Sequence, residues 1–119
     1  MRLTQSDRET IQRVQHLLDN TYHNLTVKTL AKQFHLSESK LRKGFLEIYQ
    51  LNIHEYHVRI RIERAKVLLE KTDFAIAYIA AQVGYDLRNL ERQFKKQIGM
   101  LPMEWRKNKG SSALTVDHV

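Results

Sequence analysis

The chain has 119 residues, 42% of them hydrophobic, which suffices for one compact domain or two very small ones and excludes a large enzyme. Twenty lysines and arginines against 13 acidic residues give a formal charge of +7, a sign that attracts polyanions and favours nucleic acid without specifying it. There is no cysteine, which removes disulfides, thiol catalysis and cysteine zinc sites; no stretch approaches the roughly 18 apolar residues of a membrane span, and the start lacks a signal-peptide core, so a soluble cytoplasmic protein is expected.

Four glycines and one proline are all that interrupt the chain, and apolar residues recur at three- and four-residue spacing, so the fold class predicted is all-α. Helix one is expected to begin at Ser6, because Ser6-Asp7-Arg8-Glu9 has the capping-box form in which a hydroxyl and a carboxylate satisfy each other's free backbone N–H groups. Ile11, Val14, Leu17 and Leu18 form its inward stripe, and the region from Asn20 to Asn24 ends it. Thr26 can cap a second helix running to about Phe34, with Leu25 stapled to Leu30. After a break at His35-Leu36, Ser37 caps a third helix carrying Leu41, Phe45 and Ile48 or Tyr49, with Leu36 placed to pack on Leu41.

From about Ile53 to Lys71 the chain runs without glycine or proline. Val58-Arg59-Ile60-Arg61-Ile62 alternates like a strand. Tyr56, Ile60 and Val67 nevertheless share one helical face and Val58, Ile62, Ala65 and Leu69 another, so a helix packed from both sides is expected. Asn108 to Val119 contains Gly110-Ser111-Ser112 and no periodic core pattern, which reads as a mobile tail.

An offset of 49 residues aligns Leu30–Tyr56 with Ile79–Trp105 without a gap. Ala31, Gln33, Leu41, Phe45 and Glu55 then meet identical residues at Ala80, Gln82, Leu90, Phe94 and Glu104. Leu30, Phe34, Leu36, Tyr49 and Tyr56 meet Ile79, Val83, Tyr85, Ile98 and Trp105, and Ser37 meets Asp86, another good N-cap. A small residue in one helix, a turn and a capped second helix make helix-turn-helix grammar, here written twice. Outward residues distinguish this from a hairpin repeated only for packing. Ser39, Lys40, Arg42 and Lys43 project from the first unit and Arg88, Asn89 and Arg92 from the matching face of the second, residue types suited to guanine edges, adenine edges and phosphates.

With these residues the chain resembles the DNA-binding domain of the AraC/XylS family of bacterial regulators over roughly Ser6 to Lys107. The second unit carries Ile79-Ala80, Val83-Gly84-Tyr85, Arg92-Gln93-Phe94-Lys95-Lys96, Gly99, Pro102 and Trp105-Arg106. The first unit and linker add Leu30-Ala31, Ser37, Ser39, Leu41, Phe45, Tyr56, Arg61-Ile62, Ala65 and Leu68-Leu69. The resemblance implies about seven helices: a first helix-turn-helix unit at about 6–50, a linker helix at about 53–71 and a second unit at about 73–107, followed by the tail at 108–119. It further implies that each unit places its second helix in the major groove of duplex DNA. Base contacts carry over onto Ser39, Arg42, Lys43, Arg88, Asn89, Glu91 and Arg92, and backbone contacts onto Lys28, Ser37, Lys40, Lys95 and Lys96. RNA polymerase and an effector or dimerisation domain outside this chain are the further partners it suggests. In three places the sequence departs from the family pattern. The stretch between Gly84 and Phe94 looks one residue short, Gln50 and Ile53 replace a usual glycine and proline, and Ala75 replaces a usual serine or threonine cap, for which Asp73 could compensate.

Plainer roles stand beside these. Arg42 and Lys43 could form a solvated face, Glu91 could pair with Lys95 one turn on, Leu87 could sit at the core edge beside Leu90 and Phe94, and Arg92 could support its helix or grip a phosphate. His54 and His57 have helical spacing near that of a metal pair, but no further ligand completes them, so no metal and no cofactor is expected. No phosphate loop, nucleophile motif or carboxylate pair suggests an enzyme. An RNA-binding module and a helical protein-interaction domain remain as alternatives; Tyr22 is the main loose aromatic that RNA could stack on. As a helix, the segment from Ile53 to Lys71 spans about 27 Å, approaching one turn of B-DNA at about 34 Å.

Overall fold

The computed structural model describes the backbone of residues 2–117 and side chains as far as residue 109. Among these the fold is all-α, with seven helices: α1 Gln5–Asp19, α2 Val27–Gln33, α3 Glu38–Tyr49, α4 Ile53–Lys71, α5 Ile76–Gln82, α6 Leu87–Ile98 and α7 Pro102–Asp117. The stretch from Ile53 to Lys71 is helical throughout despite its alternating sequence. Val58, Ile62, Ala65 and Leu69 are buried along it, whereas Val67, expected to pack, is exposed. The chain divides within α4, between Ile60 and Arg61, into two compact units.

The first unit starts two residues earlier than its sequence suggests. Thr4, not Ser6, caps α1: its hydroxyl accepts from the Asp7 N–H at 3.0 Å and the Asp7 carboxylate accepts from the Thr4 N–H at 3.0 Å. Both frames fit the capping-box pattern, but only Thr4 follows an apolar residue, Leu3, which is buried. Leu3 lies against Gly44 of α3, where an added Cβ would stand 2.5 Å from Ile11 Cδ1 and 3.1 Å from Leu3 Cδ2. A side chain there would force the ends of Ile11 and Leu3 to shift. Ile11, Val14, Leu18, Leu30, Leu41 and Phe45 form the core of this unit.

At the far end of α1 the Tyr56 hydroxyl donates to Asp19 Oδ1 at 2.6 Å and accepts from Gln15 Nε2 at 2.9 Å. Burial raises the Tyr56 phenol above its ordinary value, and the bond to Asp19 raises it further. The buried His57 ring donates through Nε2 to the Thr21 carbonyl, which joins α4 to the end of α1.

In the second unit Ile62, Ala65, Leu69, Ile79, Ala80, Val83, Leu90 and Phe94 are buried. Arg61, only 3% exposed, donates from Nε to the Val83 carbonyl at 2.8 Å and from Nη2 to the Gly84 carbonyl at 2.6 Å, with its guanidinium 3.7 Å from the centre of the Tyr85 ring. Desolvation lowers the pKa of Arg61, offset in part by Tyr85. Arg106 donates to the Leu69 and Thr72 carbonyls at the end of α4. The backbone of α7 continues to Asp117 through the segment expected as a tail. The side chains from 110 onward, on which the mobility expectation falls, lie outside the described residues.

Candidate nucleic-acid interface

The internal repeat seen in sequence governs the helix boundaries. Helices α2 and α5, α3 and α6, and the starts of α4 and α7 are related by the same offset of 49 residues. The backbone between them repeats as well. Leu36 N–H bonds the Ala31 carbonyl at 2.9 Å and Tyr85 N–H the Ala80 carbonyl at 2.8 Å, while His35 and Gly84 N–H bond the Lys32 and Ala81 carbonyls. These paired bonds define a Schellman turn in each unit, whose middle residue is left-handed: His35 at φ 57° and Gly84 at φ 78°.

Each turn delivers a capped second helix. Ser37 accepts from Lys40 N–H at 3.1 Å and Asp86 from Asn89 N–H at 2.7 Å, leaving the early turns of α3 and α6 as a polar face. Beneath that face Phe45 meets Tyr56 and Phe94 meets Trp105, both edge to face, so the same aromatic pair anchors each helix to the one that follows. The substitutions after the first unit do not change its turn, because Gln50 closes α3 in the same left-handed conformation, φ 58°, in which Gly99 closes α6 at φ 94°.

Among the residues expected to contact bases, Ser39, Arg42, Lys43, Arg88 and Arg92 are exposed, whereas Asn89 and Glu91 are half-buried. Arg42 has a long contact of 4.0 Å to Glu38. Glu91 makes no ion pair with Lys95 among the described residues, contrary to the simple expectation. Leu87, expected at the core edge, remains 41% exposed because it is the first residue of α6 and precedes the turn that Leu90 buries. Of the residues expected on the DNA backbone, Lys28, Ser37, Lys95 and Lys96 are exposed. Lys40 turns instead to its own unit, with Nζ 3.4 Å from Asp7 Oδ2.

The sequence reading did not single out three local features. Arg42 and Lys43 border a cleft of about 300 Å3 with Val27, Leu46, Asn52, Ile53 and His54. Asn89 links Asp86 to Arg92 through its side-chain amide. Phe74 and Tyr78 form an exposed edge-to-face pair, the second on α5. Of these, only the Asn89 linkage had a sequence signal, in the three-residue spacing of 86, 89 and 92 along one helix face.

Two capped helix-turn-helix pairs in one all-α chain define the class of double helix-turn-helix modules. The helix-turn-helix domain family matches residues 30–108, and the chain belongs to that family, in its AraC/XylS type. The family is a class of DNA-binding regulators and not of enzymes. Over 99 residues the chain is 33% identical to the Msm operon regulatory protein of Streptococcus mutans, covering 82% of this chain and 36% of that protein. It is 33% identical over 92 residues to the arabinose operon regulatory protein of Escherichia coli, covering 76% of this chain and 30% of that protein. The chain thus spans about a third of the length of these relatives. The C-terminal domain of AraT, a response regulator from Geobacillus stearothermophilus, superposes with a TM-score of 0.78 at 25% identity, covering 91% of this chain and 88% of that one. The DNA-binding domain of AdpA, solved in complex with a target DNA, shares the fold with a TM-score of 0.79 at 21% identity, covering 87% of this chain and 94% of that one. No helix among the described residues is long and apolar enough to cross a membrane.

Proposed function

We propose that this chain is the DNA-reading module of a bacterial, cytoplasmic, nucleoid-associated transcription regulator, with α3 and α6 entering adjacent major grooves of one duplex. The observation that carries the reading is the duplicated second helix, capped at Ser37 and Asp86 and exposing Ser39, Arg42 and Lys43 in one copy and Arg88 and Arg92 in the other. Arginine can grip guanine O6 and N7 with two parallel bonds, while Lys28, Ser37, Lys95 and Lys96 suit phosphates, which fix register without reading sequence. A carboxylate such as Glu91 suits a cytosine amino group. The regulators named above bear operon names, which supports the same role here. RNA polymerase, and an effector or dimerising domain carried elsewhere, complete the regulator in this proposal. Selection of bound sites from a random duplex library tests it, with RNA competitor in parallel. Enrichment of a defined duplex sequence is expected; binding without sequence preference, or preference for RNA, overturns it.

A further inference from the structure

We infer that Asn89 is a positioning residue that presets the Arg92 guanidinium for a single base pair, an assignment that rests on the DNA-reading function proposed above. Asn89 is the third residue of α6, and both ends of its amide are engaged within the helix. Nδ2 donates to Asp86 Oδ2 at 3.2 Å, and Oδ1 accepts from Arg92 Nη2 at 2.8 Å. Its backbone N–H donates to the other oxygen of the same carboxylate, Oδ1, at 2.7 Å. A continuous line, Asp86 to Asn89 to Arg92, therefore runs along one face of the helix start.

An asparagine that reads adenine uses its amide N–H and its carbonyl oxygen together, on N7 and N6. Here both groups already have partners. An arginine has five N–H donors in a planar fork, so giving one to Asn89 leaves enough for two parallel bonds to a guanine. Ordering a long, rotamer-rich side chain at an interface costs binding energy, and a side chain already tethered loses less freedom on docking. The first unit treats the equivalent slot alike by other chemistry: Lys40, the third residue of α3, is drawn to Asp7 at 3.4 Å. In both units the third residue of the exposed helix is held by an acid of its own unit.

The test compares full-length wild type with Asn89→Ala, Arg92→Ala, the double variant and Asp86→Ser on a set of duplexes carrying every single-base change in the selected site. Asp86→Ser keeps a good helix cap while removing the oxygen that holds the Asn89 amide. Expected is a roughly three- to ten-fold loss of discrimination in Asn89→Ala, confined to the base pair at which Arg92→Ala loses it, with the double variant no worse there than Arg92→Ala. Asp86→Ser should show a smaller loss at the same pair, with thermal melts close to wild type. Loss at a different base pair, additive with Arg92→Ala, makes Asn89 a reader itself and overturns the inference, as does no loss at all. If Arg92→Ala leaves every preference unchanged, the inference is overturned while Arg88 can still read for α6; if Arg88→Ala is equally silent, the reading role assigned to α6 fails as well, an outcome distinct from the first two.

Discussion

Gln50 and Gly99 stand 49 residues apart in the chain and occupy the same left-handed position at the ends of α3 and α6, one carrying a long side chain and the other none. His35 and Gly84 repeat the relationship in the turns before those helices. A side chain makes the left-handed conformation cost about 1–2 kcal/mol, of which a glycine's extra freedom in the unfolded chain returns about 0.4–1. His35→Gly is therefore expected to stabilise the first unit by roughly 0.5–1 kcal/mol, read as a raised urea midpoint. Gln50→Gly should gain less, because the Gln50 side chain donates to the Glu47 carbonyl at 2.7 Å and that bond is lost. A lowered midpoint for His35→Gly would show that its ring makes contacts outweighing the backbone cost.

Ala75 stands at the N-cap of α5 and supplies no side-chain cap, and among the described residues Asp73 does not take its place. Its counterpart Thr26 does cap α2. Ala75→Ser is expected to add about 1 kcal/mol to stability, since a hydroxyl there can accept one of the free N–H groups of the first turn. Thermal denaturation checks this, and Thr26→Ala should move the melting temperature the opposite way by a similar amount.

The Thr4 backbone N–H holds the Asp7 carboxyl below its ordinary value of 3.8; burial opposes it, and the Thr4 hydroxyl and Lys40 add smaller lowering effects. A carboxyl whose pKa is depressed on folding contributes stability that is complete above its unfolded value and is lost as pH falls through the folded one. The first unit should thus lose stability below about pH 4, and Asp7→Asn should flatten that acid limb while lowering the plateau at neutral pH. Equilibrium unfolding between pH 2 and 7 checks it; parallel limbs for the two proteins would remove the assignment to Asp7.

Lysine and arginine should fail differently on DNA. Lys95→Ala and Lys96→Ala are expected to weaken all duplexes alike and to reduce the salt slope by about 1 each. Arg42→Ala and Arg88→Ala should instead lose about 1–3 kcal/mol at particular base pairs. Binding titrations across salt concentration and across mutated sites separate the two, and uniform losses for all four variants would abolish the division.

The outward sets of the two units differ, Ser39, Arg42 and Lys43 against Arg88, Glu91 and Arg92, so one chain should bind a non-palindromic site of two boxes roughly ten base pairs apart. Inserting about five base pairs between the boxes should lower affinity towards that of a single box. Inserting a full turn should do the same, because α4, 19 residues long and shared by the two units, spans only about 27 Å. Unchanged affinity in gel shifts with either spacer would mean that one unit carries recognition alone.

The helices were legible because their signals are local and doubled. Caps at Thr26, Ser37 and Asp86, and inward residues such as Leu41 and Leu90, are fixed by spacing alone. The start of α1 was misplaced since Thr4 and Ser6 offer the same capping pattern, and only the burial of Leu3 distinguishes them. The exposed face could be named from sequence, but not which of its side chains are already engaged. Lys40 is tied by Asp7, which lies 33 positions away on another helix, a contact that no periodicity reports. The same limit hid Arg61, whose alternating neighbours suggest a strand while its guanidinium holds the turn carbonyls of Val83 and Gly84.

Helix α4 belongs to both units. Tyr56 and His57 near its start are bonded to the end of α1, and Arg61, one turn further on, is bonded to the turn before α6. A chimera that exchanges one reading unit for a relative's therefore has no loop in which to be joined. Its seam must fall inside a helix, in the three residues Val58 to Ile60, and must preserve helical phase there. Retargeting by recombination is confined to that window, which favours change by point substitution on the exposed faces of α3 and α6.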